Sequence, residues 1–338
     1  MKLSVALLLS VFCLAFPLYP PETQDGAGSG SQEATENLNT VAGRQEALAA
    51  RLQSAREMRE ANNLPQAAQL LIQAGYLQLK LNLPDEALAT FQDSLNLANQ
   101  LNDPVLKVDA RNGVAAAYLH SSKYEDATPF VQEAIAISAQ NNYARGRAEA
   151  LLLLSDCQNS TNHSTALTTA NEALTLWQTI NDTDGIVRSH LKIATYQYAQ
   201  NMLDEATQTN ETARQLAKNG GFNYLEAEAL INLSFIEYRK GAWSNVTKYL
   251  WDAGNLFDPQ SDLLMMTRIT GTIAEAYLES GQLEIALQKY EEALEYIRQS
   301  KRPRGVTVVK WSIGRTRFFA GQYSEALAKF EEALGEAQ

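Results

Sequence analysis

The feature that most constrains this chain is a sequence pattern that returns every 40 residues. Consecutive copies are 40 residues apart, with a single step of 39. Each copy is marked by a small or β-branched residue: Ala47, Ala87, Ala127, Ala166, Ala206, Val246, Ala286 and Ala326. A small residue returns seven positions after every mark. Two registers that agree along most of the 338 residues predict stacked repeats, each packed against its neighbours.

One copy shows what each repeat contains. Ala274 and Tyr277 share a face of a first helix, and Gly281 lies in the turn that follows. The second helix carries a packed stripe at i, i+4 and i+7: Ala286, Tyr290 and Ala293. Small residues at these positions let two helix backbones approach closely, while the tyrosines fill the space beside them. The pattern therefore predicts a chain built of helix pairs.

These positions resemble the tetratricopeptide repeat, whose helix A carries a small residue and whose helix B carries a small–aromatic–small trio. The best copies are Gly75/Ala87/Phe91/Ser94, Ala115/Tyr118/Ala127/Ala134, Ala274/Tyr277/Ala286/Tyr290/Ala293 and Gly314/Ala326/Phe330/Ala333. The usual period is about 34 residues. The longer period resembles the long-helix subgroup of kinesin light chains, MalT-type regulators and the arrays that precede CHAT domains. The resemblance covers about residues 44–338 and implies an all-α, right-handed superhelical solenoid of antiparallel helix pairs.

The N-terminal part of the chain lacks the repeat pattern. Residues 1–16 place one lysine before a mostly apolar run that is too short to cross a membrane comfortably. We therefore expect residues 1–19 to be a signal peptide or an N-terminal anchor, with the repeats exported from the cytoplasm. The poor cleavage site keeps an uncleaved anchor open as the alternative, and it is the one membrane attachment that the sequence indicates.

The remaining boundaries follow from composition and register. Residues 20–40 have almost no large apolar side chain, which predicts a flexible polar linker. Residues 41–62 keep the repeat register as a single amphipathic helix, and we expect them to form an N-terminal capping half-repeat. Residues 65–338 then contain seven repeats of about 40 residues.

Charge and composition favour a binding protein over an enzyme. The net charge of −11 and the pI near 4.9 argue against nucleic-acid binding. No metal-ligand spacing or phosphate-binding loop occurs, so we expect no cofactor, no metal and no catalytic residues. His120 and Cys157 are far better interpreted as a surface histidine near a buried cysteine than as a catalytic pair.

The resemblance implies a partner site on the concave side, which is lined by helix A of each repeat. Aromatic and arginine side chains dominate binding energy at many interfaces, and the predicted groove contains both. The candidate groove residues are Tyr76, Asp109, Asn112, Arg188, Tyr198, Glu228, Phe235, Tyr238, Arg268, Trp311 and Arg315.

Two functions are compatible with these features. The first is a non-catalytic scaffold outside the cytoplasm that holds a protein or peptide segment in the groove. The alternative is the sensory or regulatory region of a larger enzyme such as a CHAT-type peptidase. It is motivated by the apolar face that the last helix pair leaves open at Phe330, Ala333 and Leu334. The sequence does not specify the oligomeric state.

Overall fold

The computed structural model describes residues 41–257, 262–300 and 303–335. These residues are almost entirely helical and belong to two compact units. Residues 41–222 form the N-terminal unit, and the described residues from 223 onward form the C-terminal unit. The predicted leader (1–19) and linker (20–40) lie outside the described residues.

The N-terminal unit begins with a single helix, which packs on the first of four helix pairs. Within each pair, helix A comes first and helix B second. The helices are α1 (Val41–Glu60), α2 (Leu64–Lys80), α3 (Pro84–Leu101), α4 (Pro104–His120), α5 (Tyr124–Gln140), α6 (Ala144–Asn159), α7 (His163–Thr179), α8 (Thr183–Ala199) and α9 (Leu203–Gly220).

The C-terminal unit contains three further pairs of the same kind. Its helices are α10 (Asn223–Lys240), α11 (Trp243–Gly254), α12 (Leu263–Glu279), α13 (Leu283–Gln299), α14 (Pro303–Phe319) and α15 (Tyr323–Gly335). The prediction of an all-α solenoid built from helix pairs is confirmed. No helix in the described part of the chain is long and apolar enough to cross a membrane.

The turns explain why helices stop at regular intervals. A residue with positive φ recurs about every 20 positions, so that one falls within most repeats and another between them: Asn62, Asn82, Asn102, Ser122, Asn142, Asn181, Asn201, Gly221, Gly241, Gly281 and Gly321. Asparagine and glycine tolerate this left-handed conformation, which ends a helix by turning the chain back. Short turns of this type make consecutive helices antiparallel.

Side chains then restart the helices after several of these turns. Asp103 Oδ1 accepts hydrogen bonds from the backbone N–H of Val105 at 2.9 Å and Leu106 at 3.1 Å. Asn162 caps α7 in the same way, with Ser164 N–H at 3.0 Å. These caps satisfy backbone donors that have no partner within the helix. At these helices, turn and cap together fix where the helix begins.

Large rings from helix B seat against glycines of helix A. A Cβ atom at Gly75 would lie 2.5 Å from the Phe91 ring, and one at Gly113 would lie 2.2 Å from it. The ring of Trp177 occupies the same kind of seat, 2.2 Å from a Cβ built at Gly185. Phe91 and Trp177 are almost completely buried. Close helix packing therefore depends on glycine at these contacts, and it holds the helix-A positions in a fixed register.

Candidate binding faces on the first helices

All the predicted groove residues lie on A helices. The N-terminal unit supplies Tyr76 (α2), Asp109 and Asn112 (α4), and Arg188 and Tyr198 (α8). The C-terminal unit supplies Glu228, Phe235 and Tyr238 (α10), Arg268 (α12), and Trp311 and Arg315 (α14). Each set is described within its own unit.

Three of the predicted groove residues are buried, Tyr76, Asn112 and Arg268, and the first two take part in helix packing. Tyr76 packs edge-on against Phe91, with ring centroids 5.1 Å apart. Asn112 is almost completely buried and donates a hydrogen bond from Nδ2 to the Gly146 carbonyl at 3.0 Å. The structure thus gives Tyr76 and Asn112 roles in joining helices, which differs from the expected exposure to a partner.

Asp109 lies in a polar cluster between helices A of neighbouring pairs. The Tyr143 hydroxyl donates to its carboxylate at 3.0 Å from Oδ1 and 3.2 Å from Oδ2. Burial raises the pKa of Asp109 to about 7, while the tyrosine hydrogen bond and the nearby Arg145 oppose that rise. Desolvation favours the neutral carboxylic acid because a buried charge is costly without full compensation.

Arg188 is held by carboxylates on two helices. Its Nε donates to Asp184 at 2.7 Å, and its two Nη atoms donate to Glu149 at 3.2 Å and 2.9 Å. Burial opposes the charge, but Glu149 and Asp184 raise the pKa of Arg188 above its usual value. The guanidinium also lies 5.4 Å from the centre of the Trp177 ring. All three guanidinium nitrogens of Arg188 therefore have carboxylate partners, and the side chain has a structural role.

The sequence prediction missed Glu149 and Asp184, although a signal for both was present. Asp184 precedes Arg188 by four residues, which places the pair on one helix face. Glu149 precedes Arg188 by 39 residues, so helix A of the preceding repeat brings its carboxylate alongside. A search for opposite charges one repeat apart would have found the second pair.

A second polar network lies further along the same two helices. Lys192 Nζ donates to Asp156 at 2.7 Å, and the Tyr196 hydroxyl donates to the same carboxylate at 3.0 Å. Ser155 Oγ lies 2.9 Å from the Tyr196 hydroxyl. The predicted groove residue Tyr198 follows Tyr196 by two positions. It is half-buried and makes an interaction of its own. Polar bonds therefore join α6 and α8 along much of their length.

In the C-terminal unit, Arg315 is also paired. Its guanidinium donates to the Glu275 carboxylate at 2.5 Å, and the Tyr290 hydroxyl donates to that carboxylate too. Burial and the adjacent Glu275 raise the pKa of Tyr290. The Trp311 ring lies 5.4 Å from the Arg315 guanidinium and is 40% exposed. Arg315 thus joins α12 to α14, while Trp311 presents an aromatic surface to solvent.

The α10 residues form a half-buried aromatic group. Tyr238 packs edge-on against Trp243, with centroids 5.0 Å apart, and Phe235 lies one turn earlier on α10. Glu228 is half-buried and engaged in an interaction of its own. Phe235, Tyr238 and Trp311 therefore keep part of their surface accessible on helices A.

Arg268 differs from the other predicted arginines. It is only 6% exposed, and its Nε, like that of Arg315, is fully buried without a hydrogen-bond partner. Within the part of the chain that the structure describes, its guanidinium has neither an ion pair nor a side-chain hydrogen bond. A buried positive charge without a counter-charge is uncommon and costly.

The described residues offer little for metal or nucleophile chemistry. They contain no group of three or more histidine, cysteine, aspartate or glutamate side chains that could hold a metal ion. The thiol of Cys157 is buried, and that burial raises its pKa, which disfavours the nucleophilic thiolate. What the helix-A faces do offer is charged and aromatic groups suited to recognition.

Comparisons with known proteins agree with this architecture. The tetratricopeptide repeat model matches residues 274–302. No curated protein shows significant sequence similarity to the chain. Among solved structures, the chain resembles a Rap protein complexed with competence and sporulation factor, with a TM-score of 0.61 and 14% identity over 86% of this chain and 85% of that one.

Two further structures are similar. NprR in complex with its cognate peptide NprX gives a TM-score of 0.57 and 16% identity, covering 91% of this chain and 97% of NprR. The STAND protein PH0952 from Pyrococcus horikoshii, which has a tetratricopeptide repeat sensor, gives 0.56 and 18% over 84% of this chain and 43% of that one. At these identities the likeness establishes the fold. Residues 274–302 match the tetratricopeptide repeat, and the register, the paired helices and the similar structures give the described part of the chain a tetratricopeptide-like fold.

Proposed function

We propose that this protein is a non-catalytic scaffold that binds a peptide segment on the helix-A faces, outside the cytoplasm. The observation that carries the proposal is the set of accessible aromatic side chains on helices A of the C-terminal unit. Trp311 is 40% exposed, and Phe235 and Tyr238 are half-buried, so packing leaves part of each ring available. Exposed aromatic groups of this kind are frequent anchors for protein ligands.

Two of the similar structures contain a bound partner, which supports a binding function. One is a Rap protein complexed with competence and sporulation factor, and the other is NprR in complex with its cognate peptide. A shared fold does not by itself transfer a ligand. The proposal therefore depends on this chain's own helix-A side chains, and the cognate peptide bound to NprR makes a peptide the first ligand class to test.

The test uses two exposed tryptophans of the C-terminal unit as a matched pair. Trp311 is on helix A, whereas Trp251, 48% exposed, is on helix B. Each ring lies over a cation, Arg315 at 5.4 Å and Lys289 at 5.1 Å. The full chain is screened against an immobilised library of random synthetic peptides, and the binders are titrated against Trp311→Ala and Trp251→Ala.

We expect Trp311→Ala to weaken peptide binding by about tenfold or more, and Trp251→Ala to leave it unchanged. Equal losses in the two variants would move the binding surface away from helices A. A library that yields no binder would contradict the peptide-binding function itself. Turnover of the captured peptides would contradict the non-catalytic part of the proposal.

The proposed location rests on the sequence of the leader, Met1–Phe16. A reporter phosphatase that is active only outside the cytoplasm, fused after residue 40, tests it directly. Activity that depends on the leader would support export. Equal inactivity with and without the leader would contradict it.

A further inference from the structure

Arg268 and Arg188 occupy the same position of the repeat, two repeats apart. Both lie 18 residues before the small residue that marks helix B, Ala286 for Arg268 and Ala206 for Arg188. Equivalent positions in stacked repeats have equivalent surroundings, so the two arginines can be compared directly. Each arginine is surrounded by residues of its own unit.

The groups that neutralise Arg188 are replaced around Arg268. Asp184, four residues before Arg188, corresponds to Leu264, four residues before Arg268. Glu149, on helix A of the preceding repeat, corresponds to Ala229. Leu264 and Ala229 are both buried and apolar. The arginine is therefore present at this position without either carboxylate.

Two acidic residues close to these positions in the sequence, Glu275 and Glu228, are engaged elsewhere. Glu275 shares a helix face with Arg268, seven residues on, but its carboxylate is occupied by Arg315 and Tyr290. Glu228, next to Ala229, is already engaged. Thr272 donates its hydroxyl to the Arg268 backbone carbonyl at 2.8 Å, which leaves the guanidinium unused.

We infer that Arg268 is the receptor for a carboxylate of the bound peptide, contributed by an acidic side chain or by a free C-terminus. The inference rests on the peptide-binding function proposed above and names the chemistry of its ligand. A guanidinium presents parallel N–H donors that match the two oxygens of a carboxylate. The ligand would supply the counter-charge that Glu149 and Asp184 supply to Arg188.

The test combines one protein variant with changes in the ligand. Arg268→Met removes the charge and keeps most of the side-chain volume. Peptides captured by the full chain are resynthesised in three forms: with each Asp or Glu changed to Asn or Gln, with an amidated C-terminus, and with both changes. Affinities are then measured for the full chain and for Arg268→Met, with Trp251→Ala as the control variant.

We expect one acidic group of the peptide to contribute about tenfold or more to affinity for the full chain and nothing for Arg268→Met. The form that loses affinity identifies the carboxylate as a side chain or a C-terminus. Peptides that bind both proteins equally, whatever their acidic groups, would overturn the inference and leave the peptide-binding function standing.

A measurement without any peptide keeps the inference testable if the library yields no binder. The melting temperature of the full chain is followed in sodium acetate and in sodium chloride at matched ionic strength, which cancels screening. Acetate should raise it by about two degrees relative to chloride, and this rise should vanish in Arg268→Met. Identical behaviour of the two proteins would overturn the carboxylate site. Stabilisation by inorganic phosphate without stabilisation by acetate would overturn it in favour of a phosphate ligand.

Discussion

Arg188 and Arg268 show what happens when one repeat position keeps its arginine and loses its partners. In the N-terminal unit, every guanidinium nitrogen of Arg188 donates to a carboxylate. In the C-terminal unit, the same position has Leu264 and Ala229 where those carboxylates would be. The repeat therefore fixes the location of the charge, while a few substitutions decide whether it holds helices together or stays available.

The charge balance around the two arginines points the same way. Arg188 is bound by the two carboxylates of Glu149 and Asp184, so acidic groups outnumber it. Arg268 has no carboxylate bound to it within the described residues. An unpaired buried charge destabilises the fold, so Arg268 costs stability where Arg188 contributes to it. An external carboxylate, as proposed above, would supply the missing counter-charge.

The largest expected difference comes from removing each arginine in turn. Arg188→Met leaves two largely buried carboxylates without a counter-charge, and we expect it to lower the free energy of unfolding by about 3 kcal/mol. Arg268→Met leaves no orphaned charge, so we expect a change of less than about 1 kcal/mol, in either direction. Urea denaturation followed by circular dichroism measures both. Equal losses would mean that Arg268 has a counter-charge and that the comparison fails.

The second prediction concerns the acidic excess in the N-terminal unit. The folded-state pKa of Asp109 is raised by burial to about 7, from an ordinary value of 3.8. Between these pH values the unfolded chain releases a proton that the folded chain keeps, so the free energy of unfolding falls as pH rises. Asp109→Asn should remove this fall and stabilise the protein above pH 7 by roughly 1–2 kcal/mol.

Urea denaturation across this pH range measures the effect, and Asp126→Asn, at an exposed position of helix B, is the control. The control should leave the pH dependence as it is in the unchanged chain. Stability that rises with pH in the unchanged chain, and loses that rise in Asp109→Asn, would show that Asp109 is paired and ionised in the fold.

The sequence predicted the architecture well because the constraints on it repeat. Small residues at the helix contacts recur in register, as at Ala286 and Ala293, and the structure buries both. The turns recur as well, through asparagine and glycine at positive φ. Each repeat thus offers an independent observation of the same packing rule, and the agreement of several copies makes the prediction secure.

The candidate site was harder to predict because the side chains that contact each predicted groove residue differ from one repeat to the next. The sequence placed Tyr76 and Asn112 on helices A, but their burial depends on Phe91 and on the Gly146 carbonyl in neighbouring helices. Nor did it separate Arg188 from Arg268. That distinction depends on the side chains that two helices place around each guanidinium. The repeat pattern describes what the copies share, so it does not show these side chains.

The third prediction converts the second arginine into a copy of the first. Leu264→Asp places a carboxylate four residues before Arg268, as Asp184 stands before Arg188. The new internal partner should compete with an external one and weaken binding of acidic peptides, and of acetate, by about tenfold. Leu264→Asn is the matched control, since it alters the same buried position without adding a negative charge. An equal loss of binding in both variants would point to damaged packing.

The smallest expected effects come from two tyrosines that donate to carboxylates. Tyr143 donates to Asp109, whose carboxylate makes no direct bond to an arginine among the described residues. Tyr290 donates to Glu275, which Arg315 also holds. Above pH 7, Tyr143→Phe should therefore cost about 1 kcal/mol of unfolding free energy, and Tyr290→Phe should cost about half as much.

Urea denaturation of the two variants side by side measures this difference, since each substitution removes one hydroxyl and keeps the ring. The expected order follows from what remains at the carboxylate: Glu275 keeps a guanidinium, whereas Asp109 loses its direct donor. A larger loss in Tyr290→Phe would mean that depth of burial governs these charges more than the number of partners. The cost of leaving Arg268 unpaired would then have to be judged by its burial first.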